Sequence, residues 1–105
     1  MKPATLKALR GSIAHWKRMA TGKQRLGEQP TGECCSLCEL FNKDENDLCD
    51  GCPVAEKTGA LFCKGTPWFS AHSEWRNLGF SPKFSELAAA ELAFLQSLLP
   101  KKNET

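Results

Sequence analysis

The stretch SPKFSELAAAELAFLQSLLP, residues 81–100, carries the clearest helical pattern of the chain. Ser81 is a suitable N-cap, Pro82 suits the first helical position, and Pro100 ends the pattern. The stretch therefore predicts a helix over residues 82–99 with one broad apolar face. The residues of this face are Phe84, Leu87, Ala88, Phe94, Leu95 and Leu98.

Glu91 falls near the middle of this apolar face. If the carboxylate is buried, it needs a partner, and Arg76 or a basic residue of the first helix could supply one. If the carboxylate lies at the edge of the face, it reaches solvent. The sequence leaves both readings open.

A second amphipathic pattern lies at the start of the chain, in TLKALRGSIAHWKRMATG. It predicts a helix over residues 5–21, with Thr5 as the N-cap and Gly22 as the C-terminal stop. His15 lies about 140° from the centre of the apolar stripe at about 100° per residue, so we expect it to face solvent. The stripe consists of Leu6, Leu9, Ile13, Trp16 and Ala20.

Between these two helices the chain has less regular patterning. Residues 34–65 form a cysteine-rich segment with no helical or strand period. The aromatic stretch TPWFSAHSEWRNLGF that follows predicts a turn and a short helix ending near Gly79. Trp68 and Trp75 could belong to a protein-binding patch, but a small domain needs such side chains in its core, which favours the core.

The cysteines are arranged as two Cys-x-x-Cys pairs, in CSLCELFNKDENDLCDGCPV. Cys35 and Cys38 form the first pair, and Cys49 and Cys52 form the second. Two such turns can supply four thiolates to one tetrahedral ion, which is the usual arrangement of a structural zinc site. The spacing therefore predicts a Zn²⁺ site that orders the middle of the chain.

Six cysteines are present, so the ligand set is not unique. Cys34 could replace its neighbour, and Cys63 could displace a member of either pair. An iron–sulfur cluster ranks second to zinc, with some support from Pro53 directly after Cys52. Disulfides and a redox-active pair rank lower, because no secretory leader and no strand-then-helix context are visible. His72, a single histidine among aromatic residues, is better explained by packing than by metal binding.

Length and composition are those of one small domain, spanning residues 1–105. No apolar stretch is long enough to cross a bilayer, and no leader is visible, so a cytoplasmic location without membrane attachment is expected. The predicted fold class is a mainly α, small metal-stabilised domain. Its N- and C-terminal helices pack together, with an irregular zinc-knuckle segment between them.

Several short elements together resemble a group of small cysteine-rich proteins of unknown function encoded by tailed bacteriophages. These elements are IAHWKRM, CSLC, CDGCPV, a further cysteine before GTPW, and ELAFLQSLLP, and they span most of the chain. The resemblance implies a protein made in the host cytoplasm that acts on a host or defence protein. It supplies no catalytic residues. It also implies Cys63 as the alternative metal ligand and Cys34 as the spare thiol.

The first functional hypothesis is a non-enzymatic phage accessory protein that binds another protein. The sequence contains no glycine-rich phosphate loop, no nucleophile elbow and no His-Glu hydrolase motif. A four-thiolate zinc site is also closed to substrate, because all four coordination positions are occupied. No small-molecule substrate is evident.

The second hypothesis is a zinc-containing nucleic-acid-binding protein that uses the basic N-terminal quarter. Residues 1–27 carry seven Lys or Arg and no acidic side chain, whereas the rest of the chain carries seven basic and twelve acidic residues. The predicted helical phase sets Lys7, Arg10 and Lys17 beside the apolar stripe and Arg18 opposite it. Such a spread of cations favours an ordinary solvated face.

An enzyme is the third hypothesis. It would require a surplus thiol, Cys34 or Cys63, to meet His15 or His72. Nothing in the spacing brings such a pair together, so we expect no enzymatic activity.

Overall fold

The computed structural model describes residues 3–30, 53–58 and 66–100. Within these ranges the regular secondary structure is helical, and there is no strand. None of these helices is both long and apolar enough to span a membrane. The helices are α1 (Pro3–Ala20), α2 (Pro53–Thr58), α3 (Pro67–Leu78) and α4 (Pro82–Gln96).

Helix α4 is the centre of the helical packing, because both α1 and α3 pack against it. The indole of Trp16 on α1 stacks against the ring of Phe84 on α4, with centroids 6.5 Å apart. This packing confirms the prediction that the first and last helices pair. The buried apolar core consists of Ala8, Leu9, Trp16, Met19, Val54, Ala71, Phe84, Ala88 and Leu95.

The start of α4 follows the prediction. The Ser81 hydroxyl accepts a hydrogen bond from the Phe84 amide at 3.1 Å, and Pro82 occupies the first turn. The helix ends at Gln96, three residues before the predicted end, because the amides of Leu98 and Leu99 bond to carbonyls three residues back. Glu91 is buried, with 2% of its surface exposed, so it does not reach solvent at the edge of the apolar face. Its pairing with Arg76 or with a basic residue of α1 stays a prediction.

Helix α1 is rotated about its axis relative to the prediction. The centre of its buried face lies about 80° from the centre of the predicted stripe at about 100° per residue. Leu6, Ile13 and Ala20 are half-buried at one edge, and His15 is buried, so its predicted exposure is wrong. The buried residues are Thr5, Ala8, Leu9, Ser12, His15, Trp16 and Met19.

The two ends of α1 also differ in how well they were predicted. The helix begins at Pro3, so Thr5 lies inside it and is not the N-cap. At the other end, Gly22 adopts φ 72° and stops the helix as predicted. The Gly22 amide bonds to the Met19 carbonyl and the Lys23 amide bonds to the Arg18 carbonyl, which is a Schellman motif.

Helix α3 is capped at both ends. The Thr66 hydroxyl accepts a hydrogen bond from the Trp68 amide, and Pro67 is the first helical residue. Gly79 ends the helix, as predicted, with φ 69° and ψ −148°. The short helix α2 was not predicted, because six residues are too few to show a period.

Gly79→Ala is expected to lower the free energy of unfolding by about 1–3 kcal/mol, because a β-carbon disfavours this backbone conformation. No atom lies within 4 Å of the position where that carbon would stand, so the cost is backbone strain and not a clash. Urea unfolding measures the change. Asn77→Ala, at an exposed neighbouring position, is the control and should change stability by less than about 0.5 kcal/mol. Equal stability of the two variants would contradict this account.

Candidate functional site

The loop after α1 is fastened to that helix by one carboxylate, Glu28. Its Oε1 accepts hydrogen bonds from Arg18 Nε at 2.9 Å and from the Arg25 amide at 2.9 Å. Its Oε2 lies 2.5 Å from both Arg18 Nη2 and His15 Nδ1. An ionised carboxylate can only accept hydrogen bonds, so His15 Nδ1 carries the proton and donates it. Glu28 therefore joins two turns of α1 to the loop.

The electrostatics of this cluster favour the charged carboxylate. The hydrogen bonds from Arg18, the Arg25 amide and His15, with the Arg18 bond the largest cause, lower the pKa of Glu28 from 4.5 to about 2, although burial opposes the shift. The same contact with Glu28 raises the pKa of Arg18. The Glu28 side chain is 8% exposed, and that of Arg18 is 28% exposed. The cluster is thus a partly buried ion pair at neutral pH.

This arrangement suits anchoring and not proton transfer. Both oxygens of Glu28 are occupied by donors from its own chain, so the carboxylate has little capacity left to take a proton from a substrate. Within the described residues, Nε2 of His15 is buried and has no hydrogen-bond partner. The His15 ring is held by the hydrogen bond from its Nδ1 to Glu28. It also makes an edge contact with the Trp16 ring, with the ring centroids 5.6 Å apart.

A groove of about 360 Å³ lies beside the anchored loop. One wall is the loop itself, residues 24–29, and the other is formed by Trp75 and Phe80 at the end of α3. Leu26 on the loop is fully exposed, and Phe80 is 44% exposed. The groove thus places apolar and aromatic surface beside the backbone and cations of the loop.

The aromatic wall of the groove is continuous with the core. Phe80 lies 6.4 Å from Trp75 and 5.2 Å from Phe84, measured between ring centroids. Phe84 in turn stacks on Trp16. The aromatic wall therefore packs against a buried ring, and the loop wall is bonded through Glu28 to α1.

Trp68 and Trp75 are half-buried and pack against the core, so the core reading describes most of their surface. Trp75 also lines the groove, so part of its surface is available to a binding partner, as the protein-binding hypothesis expects. His72 stacks on Trp68, with centroids 4.7 Å apart and planes 14° from parallel. Burial, followed by the nearby charge of Arg76, lowers the pKa of His72. This histidine is a packed ring.

The predicted metal ligands lie outside the described residues. This holds for Cys35, Cys38, Cys49 and Cys52, for the alternative ligand Cys63, and for Cys34. In the part of the chain that is described, no three His, Cys, Asp or Glu side chains come close enough to share a metal ion. The zinc site remains a prediction from spacing.

Sequence reasoning missed the Glu28 anchor. It placed His15 in solvent and gave Glu28 no role. One signal was available, because Glu28 is the first acidic residue after seven cations. A lone carboxylate in such surroundings is the natural partner for a basic side chain of the preceding helix.

The chain was also compared with known proteins. No protein-family model, no curated protein and no solved structure matches it.

Proposed function

We propose that this chain is a non-enzymatic protein-binding module, and that its groove holds an apolar side chain of a partner protein. The observation that carries the proposal is the exposure of Leu26 and Phe80 at a groove whose walls are fixed. Single exposed apolar residues are common, but apolar surface gathered at one groove can mark an interaction site, and Leu26, Trp75 and Phe80 line the same groove. Aromatic residues are also enriched at binding hot spots.

The charges around the groove indicate which segment would bind. Lys23 and Arg25 are exposed on the loop, while the charge of Glu28 is compensated by Arg18. Arg25 lines the groove and Lys23 lies two residues away on the same loop, so the described part of the rim is positive. We infer a partner segment in which an apolar anchor residue is flanked by aspartate or glutamate, because such a segment matches both features.

The resemblance to small phage proteins supports a partner from the host cell or its defences, met in the host cytoplasm. The saturated carboxylate of Glu28 supports binding over catalysis. We further propose that Zn²⁺, held by Cys35, Cys38, Cys49 and Cys52 or with Cys63 replacing one of them, stabilises the module. Four thiolates in two Cys-x-x-Cys turns fit that ion well.

The experiment is selection of peptides from a displayed random library against the whole protein. The expected peptides carry a large apolar residue next to an acidic one. Leu26→Ser should weaken their binding at least about tenfold, or about 1.4 kcal/mol. Because Leu26 is fully exposed, this variant should fold normally. Fluorescence titration with a selected peptide measures the affinity.

Leu78→Ser is the matched control. Leu78 is also an exposed leucine, with 70% of its surface accessible, but it does not line the groove. The proposal expects this variant to bind as the unmodified protein does. Failure to select any peptide, or equal binding by both variants, would contradict the proposal. A shift of the Trp75 indole NMR signal on peptide addition would locate the binding independently.

A further inference from the structure

The outer face of α1 is basic along its length. The exposed positions of this helix include Lys7, Arg10 and Lys17, which fall within an arc of about 80° at about 100° per residue. The arc lies opposite the buried face. The sequence analysis placed these three cations beside the apolar stripe. Because the buried face of α1 differs from the predicted one, all three lie on the solvent-exposed side of the helix.

The basic side chains of α1 are paired unevenly with carboxylates. Helix α1 contains no acidic residue, and none of the three cations forms an ion pair with a described residue. Glu28 forms its ion pair with Arg18, the fourth cation of the helix. The nearest continuation of the basic face is the loop, where Lys23 and Arg25 are exposed. Among the residues that the structure describes, no carboxylate compensates the positive charge of this face.

We propose that this face binds the phosphate backbone of duplex nucleic acid. Lys7 and Lys17 are about 15 Å apart along the helix axis at about 1.5 Å per residue. A duplex presents one negative charge for roughly every 1.7 Å of its length, so a straight basic face of this size meets several phosphates.

The composition of the face favours binding to duplex nucleic acid over binding to single strands. Its other exposed members include Ala14 and Thr21, and it contains no aromatic side chain. Binding of single strands relies on aromatic rings that stack on unpaired bases. The face also lacks asparagine and glutamine, which read adenine in the major groove. The expected interaction is therefore with the backbone and independent of sequence.

The test is fluorescence anisotropy with a short DNA duplex of mixed sequence, titrated with the intact protein at several salt concentrations. Three phosphate contacts predict a log–log slope of roughly −2.7, and participation of the loop cations would steepen it towards roughly −4.5. Replacing Lys7, Arg10 and Lys17 together with Gln should weaken binding at least tenfold at low salt. It should also reduce the magnitude of the slope by roughly 2.7.

The matched control replaces three other exposed cations, Lys57, Arg76 and Lys83, with Gln. It changes the net charge by the same amount but leaves α1 intact, so the slope should stay as in the unmodified protein. Equal losses in both triple variants would show attraction by net charge alone and overturn the proposal. So would the absence of duplex binding, or tighter binding to single strands. Leu26→Ser should not affect duplex binding, which separates this proposal from that of the groove.

Discussion

Removal of the proposed Zn²⁺ is expected to cause the largest loss of stability in this protein. A structural zinc ion contributes on the order of 10 kcal/mol of apparent binding free energy, comparable to the whole net stability of a small domain. Cys38→Ser and Cys49→Ser should act in the same way, because each removes one thiolate from the set. Circular dichroism during heating measures the effect, with metal content determined by mass spectrometry of the native, reduced protein.

The spare thiol supplies the control for this experiment. Cys34→Ser should retain the metal and the thermal midpoint, whereas Cys63→Ser distinguishes the two ligand sets. An unchanged spectrum and midpoint after verified metal removal would contradict the zinc proposal. So would a native protein whose cysteines are joined as disulfides.

The second large effect is expected from Glu28→Gln, which should lower the free energy of unfolding by about 2–4 kcal/mol. The neutral amide cannot compensate Arg18, and it sets its own N–H groups against the donors that now surround the carboxylate. The single oxygen of the amide can occupy only one of the two carboxylate positions, so either the buried His15 Nδ1 or the Arg25 amide loses its acceptor. Urea unfolding measures the loss. Glu86→Gln, at an exposed position of α4, should be nearly neutral.

The contribution of Glu28 should also depend on pH in a defined direction. Its pKa falls from 4.5 to about 2 on folding, so the folded protein favours the ionised form. The stabilisation is complete above pH 4.5 and is lost as the pH falls towards 2. The difference between the unmodified protein and Glu28→Gln should therefore shrink below pH 4.5. A difference that stays constant down to pH 3 would exclude this role.

The features that the sequence predicted well are local. Ser81 and Pro82 begin α4, while Gly22 and Gly79 end two other helices, because caps depend on residues a few positions apart. The phase of α1 could not be predicted in this way. The buried His15 bonds through Nδ1 to Glu28, thirteen residues later, and no periodicity within the helix contains that information.

The groove was beyond sequence reasoning for a similar reason. Residues 24–29 show only loop chemistry in the sequence, and Trp75 and Phe80 lie about fifty residues further along. A groove exists only after both segments have docked on the core. Its apolar rim was equally hidden, since an isolated leucine such as Leu26 gives no sign that it will be fully exposed.

The central position of α4 has a consequence for folding order. Roughly 60 residues separate the end of α1 from the start of α4, so their contact closes a long loop of chain. Until α4 is synthesised, α1 lacks the helix that it packs against, and Trp16 lacks the Phe84 ring that stacks on it. A nascent or truncated chain that lacks α4 would expose this face of α1 to proteases and chaperones, so the stable core should form only after α4 has been synthesised.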